Sequence, residues 1–176
     1  MKRLYLLRHA ESDWGDSAVD DFDRRLTDRG VRTVLFMGAL MDGRGLSPDV
    51  IVSSPAKRAM QTAEMVLDAS GFDRSIDYDE RIYEAGVSTL LNVITGLPDE
   101  DGSALIVGHN PGMEGIIHSL TGAVQPMPTG AIAVISLDVA RWAATADRSG
   151  TLDFVIRPEE EMKKAEEDDL RRPLKA

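Results

Sequence analysis

Short apolar runs recur along the chain and predict the strands of a sheet. Each run holds four or five residues and is bounded by polar residues, glycine or proline, as is typical of buried strands. The five runs are Leu4–Leu7, Asp49–Val52, Ala104–Val107, Ala131–Ile135 and Leu152–Ile156. A weaker segment at Ser75–Tyr78 predicts one further short strand.

Between these runs, apolar residues recur with the period of an α-helix. One predicted helical face is formed by Val31, Val34, Leu35, Gly38 and Met41. Comparable faces occur in segments 56–67, 87–94 and 113–120. The sequence therefore predicts helices between successive strands.

Two of the predicted helices have recognisable start signals. Ser54 is a favourable N-cap residue, and Pro55 suits the first helical position that follows it. Asn110 and Pro111 form the same kind of pair after the strand 104–107. These pairs predict that helices begin immediately after two strand ends.

The alternation of strands and helices predicts an α/β domain built in three layers, with a mostly parallel central sheet flanked by helices. The last two strands are joined by a short segment and are expected to pair antiparallel, which makes the sheet mixed. We place this domain at residues 1–157. Residues 158–176 are dominated by charge and are predicted to form a solvated terminal helix or a frayed tail.

Composition and charge narrow the possible functions. The chain has 176 residues, of which 43% are hydrophobic and 28% charged, as in ordinary globular domains. The absence of cysteine excludes disulfides, thiol nucleophiles and iron–sulfur clusters. A net charge of −10 disfavours nucleic acid and anionic membranes as partners. The N-terminal apolar run is too short for a signal peptide, so we expect a cytoplasmic protein.

Two of the three histidines follow predicted strands directly. His9, preceded by Arg8, ends the first strand, and His109 ends the strand 104–107. Arg58 lies in the first turn of the helix after the strand 49–52. Because ligands of open α/β sheets bind beyond the carboxyl ends of the strands, these four side chains are expected to meet in one crevice. Two guanidinium groups beside two imidazoles favour a phosphate ligand, since arginine matches phosphate oxygens with a fixed fork of donors.

Other kinds of site fit the sequence less well. A metal site using Asp13, Asp16 or Glu84 with the two histidines is disfavoured, because the adjacent arginines repel a cation. The chain also lacks the Gly-Lys-Ser/Thr ending of a nucleotide-binding loop and the Gly-x-Ser-x-Gly elbow of serine hydrolases. We therefore expect no metal and no cofactor. His118 lies one residue off an apolar helical face and is expected to be a surface or structural histidine.

Three blocks resemble the histidine phosphatase superfamily, which includes the cofactor-dependent phosphoglycerate mutases. Leu6–Ser12 is similar to the family's Arg-His-Gly signature, with alanine in place of glycine. Residues 53–63 resemble its Ser-x-x-x-Arg-Ala-x-Gln-Thr-Ala block, and residues 107–111 resemble the block that carries the second histidine. The short chain and the segments 8–14, 23–30 and 128–133 look most like the SixA-type phosphohistidine phosphatases.

The resemblance implies a phosphoglycerate mutase-like fold around a mixed sheet, without the helical lid subdomain of the larger mutases. It implies that His9 is the nucleophile and is transiently phosphorylated. Arg8, Arg58 and His109 would then hold the phosphoryl oxygens. For this chemistry, one ring nitrogen of His9 must be held by a partner, expected to be a backbone carbonyl. His109 is expected to act as the imidazolium, with its pKa raised by bound phosphate.

The remaining site residues are less well specified. Glu84 is a candidate general acid for the leaving group, and Glu80 is a nearby alternative. Ser12 is a candidate substrate contact. The mutases carry an asparagine near the position of Gly15, so one phosphate contact of theirs is expected to be missing here.

These features favour a metal-independent phosphatase that removes phosphate from phosphohistidine on a protein. A phosphomonoesterase acting on small esters, such as sugar or nucleotide phosphates, is the alternative. A phosphate-binding module without catalysis is a third hypothesis, although such a module would not need the nucleophile His9. The expected partner is accordingly a phosphorylated protein or a small phosphate ester, and the chain is taken as a monomer by default.

Overall fold

The computed structural model describes residues 1–14 and 18–171. Within them, six strands form one sheet: β1 (Lys2–Arg8), β2 (Val50–Ser53), β3 (Ile76–Tyr78), β4 (Ser103–Gly108), β5 (Ile132–Leu137) and β6 (Gly150–Ile156). The helices are α1 (Asp28–Gly43), α2 (Lys57–Ser70), α3 (Val87–Thr95), α4 (Gly112–Thr121) and α5 (Pro158–Arg171). Short 3-10 turns occur at Asp21–Asp23, Glu80–Ile82 and Trp142–Ala144.

The sheet is mixed, as the sequence predicts. Its strand order is β3-β2-β4-β1-β5-β6. The first four of these strands run parallel, whereas β5 pairs antiparallel with both β1 and β6. The α/β class, the mixed sheet and the antiparallel last pair are thus confirmed.

Helices cover both faces of the sheet, so the domain has three layers. Alternate residues of β1 point to opposite faces: Leu4 and Leu6 join the core under α3 and α4, while Tyr5 and Leu7 join the core under α1 and α2. Both cores are almost fully buried. The described segments contain no inserted helical subdomain between these elements.

The parallel register places three strand ends side by side. Arg8 at the end of β1 pairs with Gly108 of β4, and Ser53 at the end of β2 pairs with Val107. The chain therefore leaves all three strands at one edge of the sheet, and the residues that follow them are brought together there.

Both predicted helix starts are wrong by a short distance. α2 begins at Lys57 with Ala56 as its N-cap residue, and α4 begins at Gly112 with Pro111 in the N-cap position. Ser54 thus lies two residues before the N-cap residue, and its hydroxyl oxygen accepts from the backbone N–H of Ala56 and also contacts His109. Asn110 is not the N-cap residue of α4, and its amide nitrogen donates to the side chain of Glu114 and to a backbone carbonyl.

The buried face of α1 differs from the predicted one. Val34, Met37, Gly38 and Met41 are buried, whereas Leu35 is 45% exposed. The buried positions follow the helical spacing i, i+3, i+4, i+7 from residue 34, and Leu35 lies one residue outside that stripe. The prediction that Leu35 faces the core is therefore wrong.

The charged C-terminal segment forms the helix α5 up to Arg171, and residues 172–176 lie outside the described part. Pro158 is buried, and ion pairs join Glu159 to Arg29 and Glu161 to Arg44. Arg29 lies in α1 and Arg44 is its C-cap residue, so α5 packs beside α1 with an otherwise solvated surface. The domain boundary at residue 157 stays a prediction.

Gly30, in the first turn of α1, packs against the loop that follows the first strand. A Cβ atom at position 30 would lie 2.2 Å from the carbonyl oxygen of Glu11. We expect Gly30→Ala to lower the free energy of unfolding by about 1–3 kcal/mol, because the backbone of the loop must move. Urea unfolding will measure this. Gly43→Ala is the matched control in the same helix, since no heavy atom lies within 4 Å of its new Cβ. Destabilisation by both variants alike would contradict the packing explanation.

Candidate active site

His9 lies directly after β1, with its side chain 7% exposed. Its Nδ1 is 2.7 Å from the backbone carbonyl oxygen of Ala10. Because a carbonyl can only accept a hydrogen bond, Nδ1 carries the proton. The other nitrogen, Nε2, then holds a lone pair, towards which the Nε–H of Arg58 points at 3.3 Å. The expected backbone partner of His9 is thus confirmed.

The surroundings of His9 keep its ring neutral. Burial, with smaller contributions from the nearby His109, Arg58 and Arg8, lowers the pKa of His9 from 6.5 to about 3, against the opposing effect of the Ala10 carbonyl. A neutral ring with a lone pair on Nε2 is the nucleophilic form of histidine.

Arg58 projects from the first turn of α2 and is 5% exposed. Besides its contact with His9, its Nη2 is 3.0 Å from a carboxylate oxygen of Asp21, and its Nη1 donates to the backbone carbonyl of the same residue. These contacts fix the plane of the guanidinium group and turn its Nε edge towards Nε2 of His9.

Asp21 is a site residue that the sequence analysis does not identify. Its carboxylate accepts from Arg58, from Nη1 of Arg24 at 2.7 Å, and from the hydroxyl of Tyr83 at 2.8 Å. Burial raises the pKa of Asp21, but the hydrogen bonds from Tyr83 and Arg58 outweigh it and bring the pKa below its usual value. Asp21 is therefore an ionised carboxylate that joins two arginines of the site.

Arg24 is also absent from the predicted site, although it belongs to a segment that carries the family resemblance. It is 8% exposed and donates to the backbone carbonyl of Asp13, to Asp21 and to the hydroxyl of Ser12. Its guanidinium carbon lies 3.4 Å from the ring centre of Trp14. Arg24 thus ties together the two chain segments that form one wall of the site.

Arg8 is partly buried at the end of β1. Its Nη1 donates to the backbone carbonyl of Met127 at 2.9 Å. Its Nε is buried and has no hydrogen-bond partner within residues 1–14 and 18–171. A buried donor of this kind is costly unless a ligand satisfies it, so it marks a position for an anionic group.

His109 follows β4 and faces His9, with 5.1 Å between the ring centres. Its Nε2 lies 2.8 Å from the hydroxyl oxygen of Ser54, and its Nδ1 is buried without a partner in the described chain. Burial lowers the pKa of His109 from 6.5 to about 4, with Arg58 as the next cause. In the ligand-free protein His109 is therefore neutral, unlike the imidazolium that the sequence analysis expects with phosphate bound.

These groups line an open cavity of about 830 Å³. Its wall includes Ser12 and Glu84, both predicted as site residues. The hydroxyl of Ser12 accepts from Arg24, and Glu84 is an exposed residue with a left-handed backbone conformation (φ 52°). Glu80 does not line the cavity, which favours Glu84 over Glu80 as the carboxylate nearest the chemistry. Trp14, 79% exposed, stands at the rim.

The other sequence predictions fall outside this cavity. His118 is exposed on α4, as expected of a surface histidine. Gly15 and Asp16, considered for a phosphate contact and for a metal site, lie outside the described residues. Among the residues that are described, no group of three or more histidines, aspartates or glutamates is placed to hold a metal ion. No helix of residues 1–14 and 18–171 is long and apolar enough to cross a membrane.

Because both histidines are neutral, the free energy of unfolding is expected to depend on pH. The rings of His9 and His109 will stay unprotonated from about pH 8 to about pH 5, because burial holds both pKa values at about 4 or below. An unfolded chain takes up these protons below about pH 6.5, so the free energy of unfolding falls as the pH falls from there towards 4. NMR of the histidine rings will follow the titration. Protonation of either ring near pH 6.5 would contradict the burial argument.

The chain is similar in sequence and fold to known proteins. Residues 4–95 match the model of the histidine phosphatase superfamily (branch 1). An uncharacterized protein of Mycobacterium leprae is 33% identical over 149 residues, which cover 77% of this chain and 89% of that protein.

Two solved structures are similar to the chain in both fold and sequence. One is a protein assigned as the phosphohistidine phosphatase SixA of Agrobacterium tumefaciens, with 30% identity, a TM-score of 0.77, and coverage of 89% of this chain and 98% of that one. The other carries the same assignment in Nakamurella multipartitia, with 31% identity, a TM-score of 0.77, and coverage of 89% and 96%.

Proposed function

The chain belongs to the histidine phosphatase superfamily, and from this premise we propose that it is a phosphatase which acts through phosphorylated His9 and removes phosphate from phosphohistidine on a protein. One observation carries the proposal. His9, with a neutral ring and a lone pair on Nε2, lines the same cavity as Arg8 and His109, whose Nε and Nδ1 are buried and lack partners in the described chain. This arrangement suits a phosphoryl group placed between a nucleophile and hydrogen-bond donors.

In the first step, Nε2 of His9 attacks phosphorus, and the bond from phosphorus to the leaving atom breaks with its electron pair going to the leaving group, which takes up a proton from solvent. The hydrogen bond from Nδ1–H to the carbonyl of Ala10 stabilises the positive charge that develops on the ring. Arg58 lies beside Nε2 and can shift its Nε–H from the nitrogen to a phosphoryl oxygen as the new bond forms. Arg8 and His109 donate hydrogen bonds to the other phosphoryl oxygens.

In the second step, a water molecule attacks the phosphorus of phospho-His9. The phosphorus–nitrogen bond breaks, its electron pair returns to Nε2, and phosphate leaves while the water proton passes to solvent. His9 is then neutral again and ready for a further cycle. The sum of both steps is hydrolysis of the phosphorylated substrate.

Two features support a phosphohistidine substrate. The leaving imidazole departs more easily than an alkoxide, so it depends less on a positioned acid. The cavity is also open at the exposed Trp14, which leaves room for a loop or helix of a protein.

The test is a panel of substrates assayed with a chelator present: a phosphohistidine-bearing domain, p-nitrophenyl phosphate and several sugar phosphates. We expect phosphate release mainly from the phosphohistidine domain. Release mainly from small esters would replace this proposal with a phosphomonoesterase. Binding of phosphate without turnover of any member would replace it with a phosphate-binding module.

The phosphomonoesterase alternative has one observation in its favour, the position of Glu84 in the cavity wall. If Glu84 donates a proton, Glu84→Gln will lower kcat/KM for alkyl esters by roughly a hundredfold and for aryl esters much less, because a poor leaving group needs the acid most. Steady-state kinetics on both ester types measure this. Glu80→Gln is the control, since Glu80 does not line the cavity. Equal slowing of both ester types would argue against a proton donor.

A further inference from the structure

Ser54 is the buried residue behind His109. It follows β2, is 0% exposed, and its hydroxyl oxygen has two neighbours. The backbone N–H of Ala56 donates to this oxygen at 3.3 Å, and Nε2 of His109 lies 2.8 Å from it. The question is which of Ser54 and His109 donates in the second contact.

The hydrogen-bonding groups around Ser54 show which of the two residues donates. The N–H of Ala56 can only donate, so the oxygen of Ser54 accepts there, and the hydroxyl hydrogen still needs an acceptor. Within the described residues, the remaining partner of this hydroxyl is Nε2 of His109. A proton on Nε2 would leave two buried groups unpaired, the hydroxyl hydrogen and the lone pair of Nδ1, whereas a proton on Nδ1 leaves only the Nδ1–H without a partner in the described chain. Nε2 therefore carries the lone pair, and the single proton of the neutral ring is on Nδ1.

We propose that Ser54 is a positioning residue that holds His109 as the neutral tautomer with its proton on Nδ1. His109 then offers the phosphoryl group a hydrogen bond and no positive charge. The statement about the tautomer stands on the hydrogen bonds alone, whereas its use towards a phosphoryl group rests on the proposed function. The positive charge at the site comes from arginine.

The groups facing His109 favour the same state. From β1, α2, the Asp21–Asp23 turn and the segments beside it, they are Arg8, His9, Arg58, Asp21, Arg24 and Tyr83. Three guanidinium groups outnumber the single carboxylate, so a proton added to His109 meets net repulsion. Tyr83 contacts the ring edge-on at 5.7 Å between ring centres and adds no charge.

The experiment is NMR of the full chain labelled with ¹⁵N at histidine, which reports the protonation of each ring nitrogen in the free protein. The chain has three histidines, so the loss of one set of signals in His118→Gln leaves two to assign. Near pH 7 we expect a protonated Nδ1 and an unprotonated Nε2 for His109. A proton on Nε2, or a doubly protonated ring, in the wild-type protein would overturn the proposal.

Two variants separate positioning from packing. Ser54→Ala removes the hydroxyl and is expected to bring in the other tautomer, raise the pKa of His109 and lower kcat/KM by about tenfold, the worth of one such hydrogen bond. Ser53→Ala is the matched control, because this neighbouring serine is equally buried and its hydroxyl donates to a backbone carbonyl, not to His109. Identical tautomer and titration in both variants would overturn the proposal.

The same measurements separate this proposal from the proposed function. The NMR experiment uses protein without substrate, so a chain that hydrolyses nothing can still show the Nδ1–H tautomer. Conversely, a working phosphatase with the proton on Nε2 of His109 contradicts the role of Ser54 and leaves the function standing.

Discussion

Replacing His9 with alanine will lower kcat/KM for every phosphorylated substrate by roughly a thousandfold or more, because no other side chain of the described cavity is placed to form the covalent intermediate. Nε2 of His9 is the one nucleophilic nitrogen lone pair in the described cavity that faces an arginine donor. His109 does not replace it, since Nε2 of that ring is turned to Ser54. Steady-state assays on the preferred substrate measure the effect.

His118→Ala is the matched control for this experiment. His118 is exposed on α4 and lies outside the cavity, so its removal is expected to leave kcat/KM within a factor of about two. Circular dichroism will show whether His9→Ala keeps its fold. Normal turnover by a folded His9→Ala protein would refute covalent catalysis at this residue.

Arg58→Lys will lower kcat/KM by roughly a hundredfold to a thousandfold, although it keeps the charge. The guanidinium of Arg58 contacts His9 through Nε and Asp21 through both terminal nitrogens. A lysine ammonium is a single point and cannot hold Asp21 while also facing the nucleophile. The loss is expected mainly in kcat, because the contact to a phosphoryl oxygen strengthens as the bond to His9 forms.

Lys57→Ala is the control for loss of a cation on the same helix. Lys57 adjoins Arg58 in sequence but does not line the cavity, and its removal is expected to change kcat/KM by a factor of about two at most. If Arg58→Lys retains full activity, positive charge alone is sufficient at this position, and the geometric role of the guanidinium group is wrong.

The sequence alone predicts the fold and the convergence of Arg8, His9, Arg58 and His109. Both results depend on strong local signals. Buried strands appear as apolar runs, and the parallel register then forces their carboxyl ends to one edge of the sheet. Residues directly after those ends must lie close together, whatever the details of the loops.

The parts that the sequence does not predict depend on pairings between distant side chains. Asp21 and Arg24 lie in a segment without periodic pattern, and only the fold brings Asp21 to Arg58, 37 residues away. Ser54 carries a sequence signal, but it is the signal of a helix cap. Its hydroxyl oxygen keeps a local contact with the backbone N–H of Ala56 and also contacts His109, 55 residues away, and the helix begins later than predicted. The contact with His109 is the part that a local signal cannot predict.

The protonation of His109 in the folded chain also depends on contacts that the sequence does not show. Two arginines and a phosphate suggest an imidazolium, but the sequence does not show how deeply the ring is buried or what its far nitrogen contacts. In the folded chain His109 is 8% exposed, and its Nε2 is hydrogen-bonded to the hydroxyl of Ser54. Burial disfavours the charged ring until a ligand arrives.

The most direct test of the account is to trap the phosphorylated enzyme. The protein is mixed briefly with a phosphohistidine-bearing domain, quenched under alkaline conditions that preserve phosphohistidine, digested, and analysed by mass spectrometry. We expect phosphate on the peptide that contains His9, and none on that peptide in His9→Ala. Turnover with no phosphorylated His9, or with the phosphate on His109 or His118 instead, would contradict it.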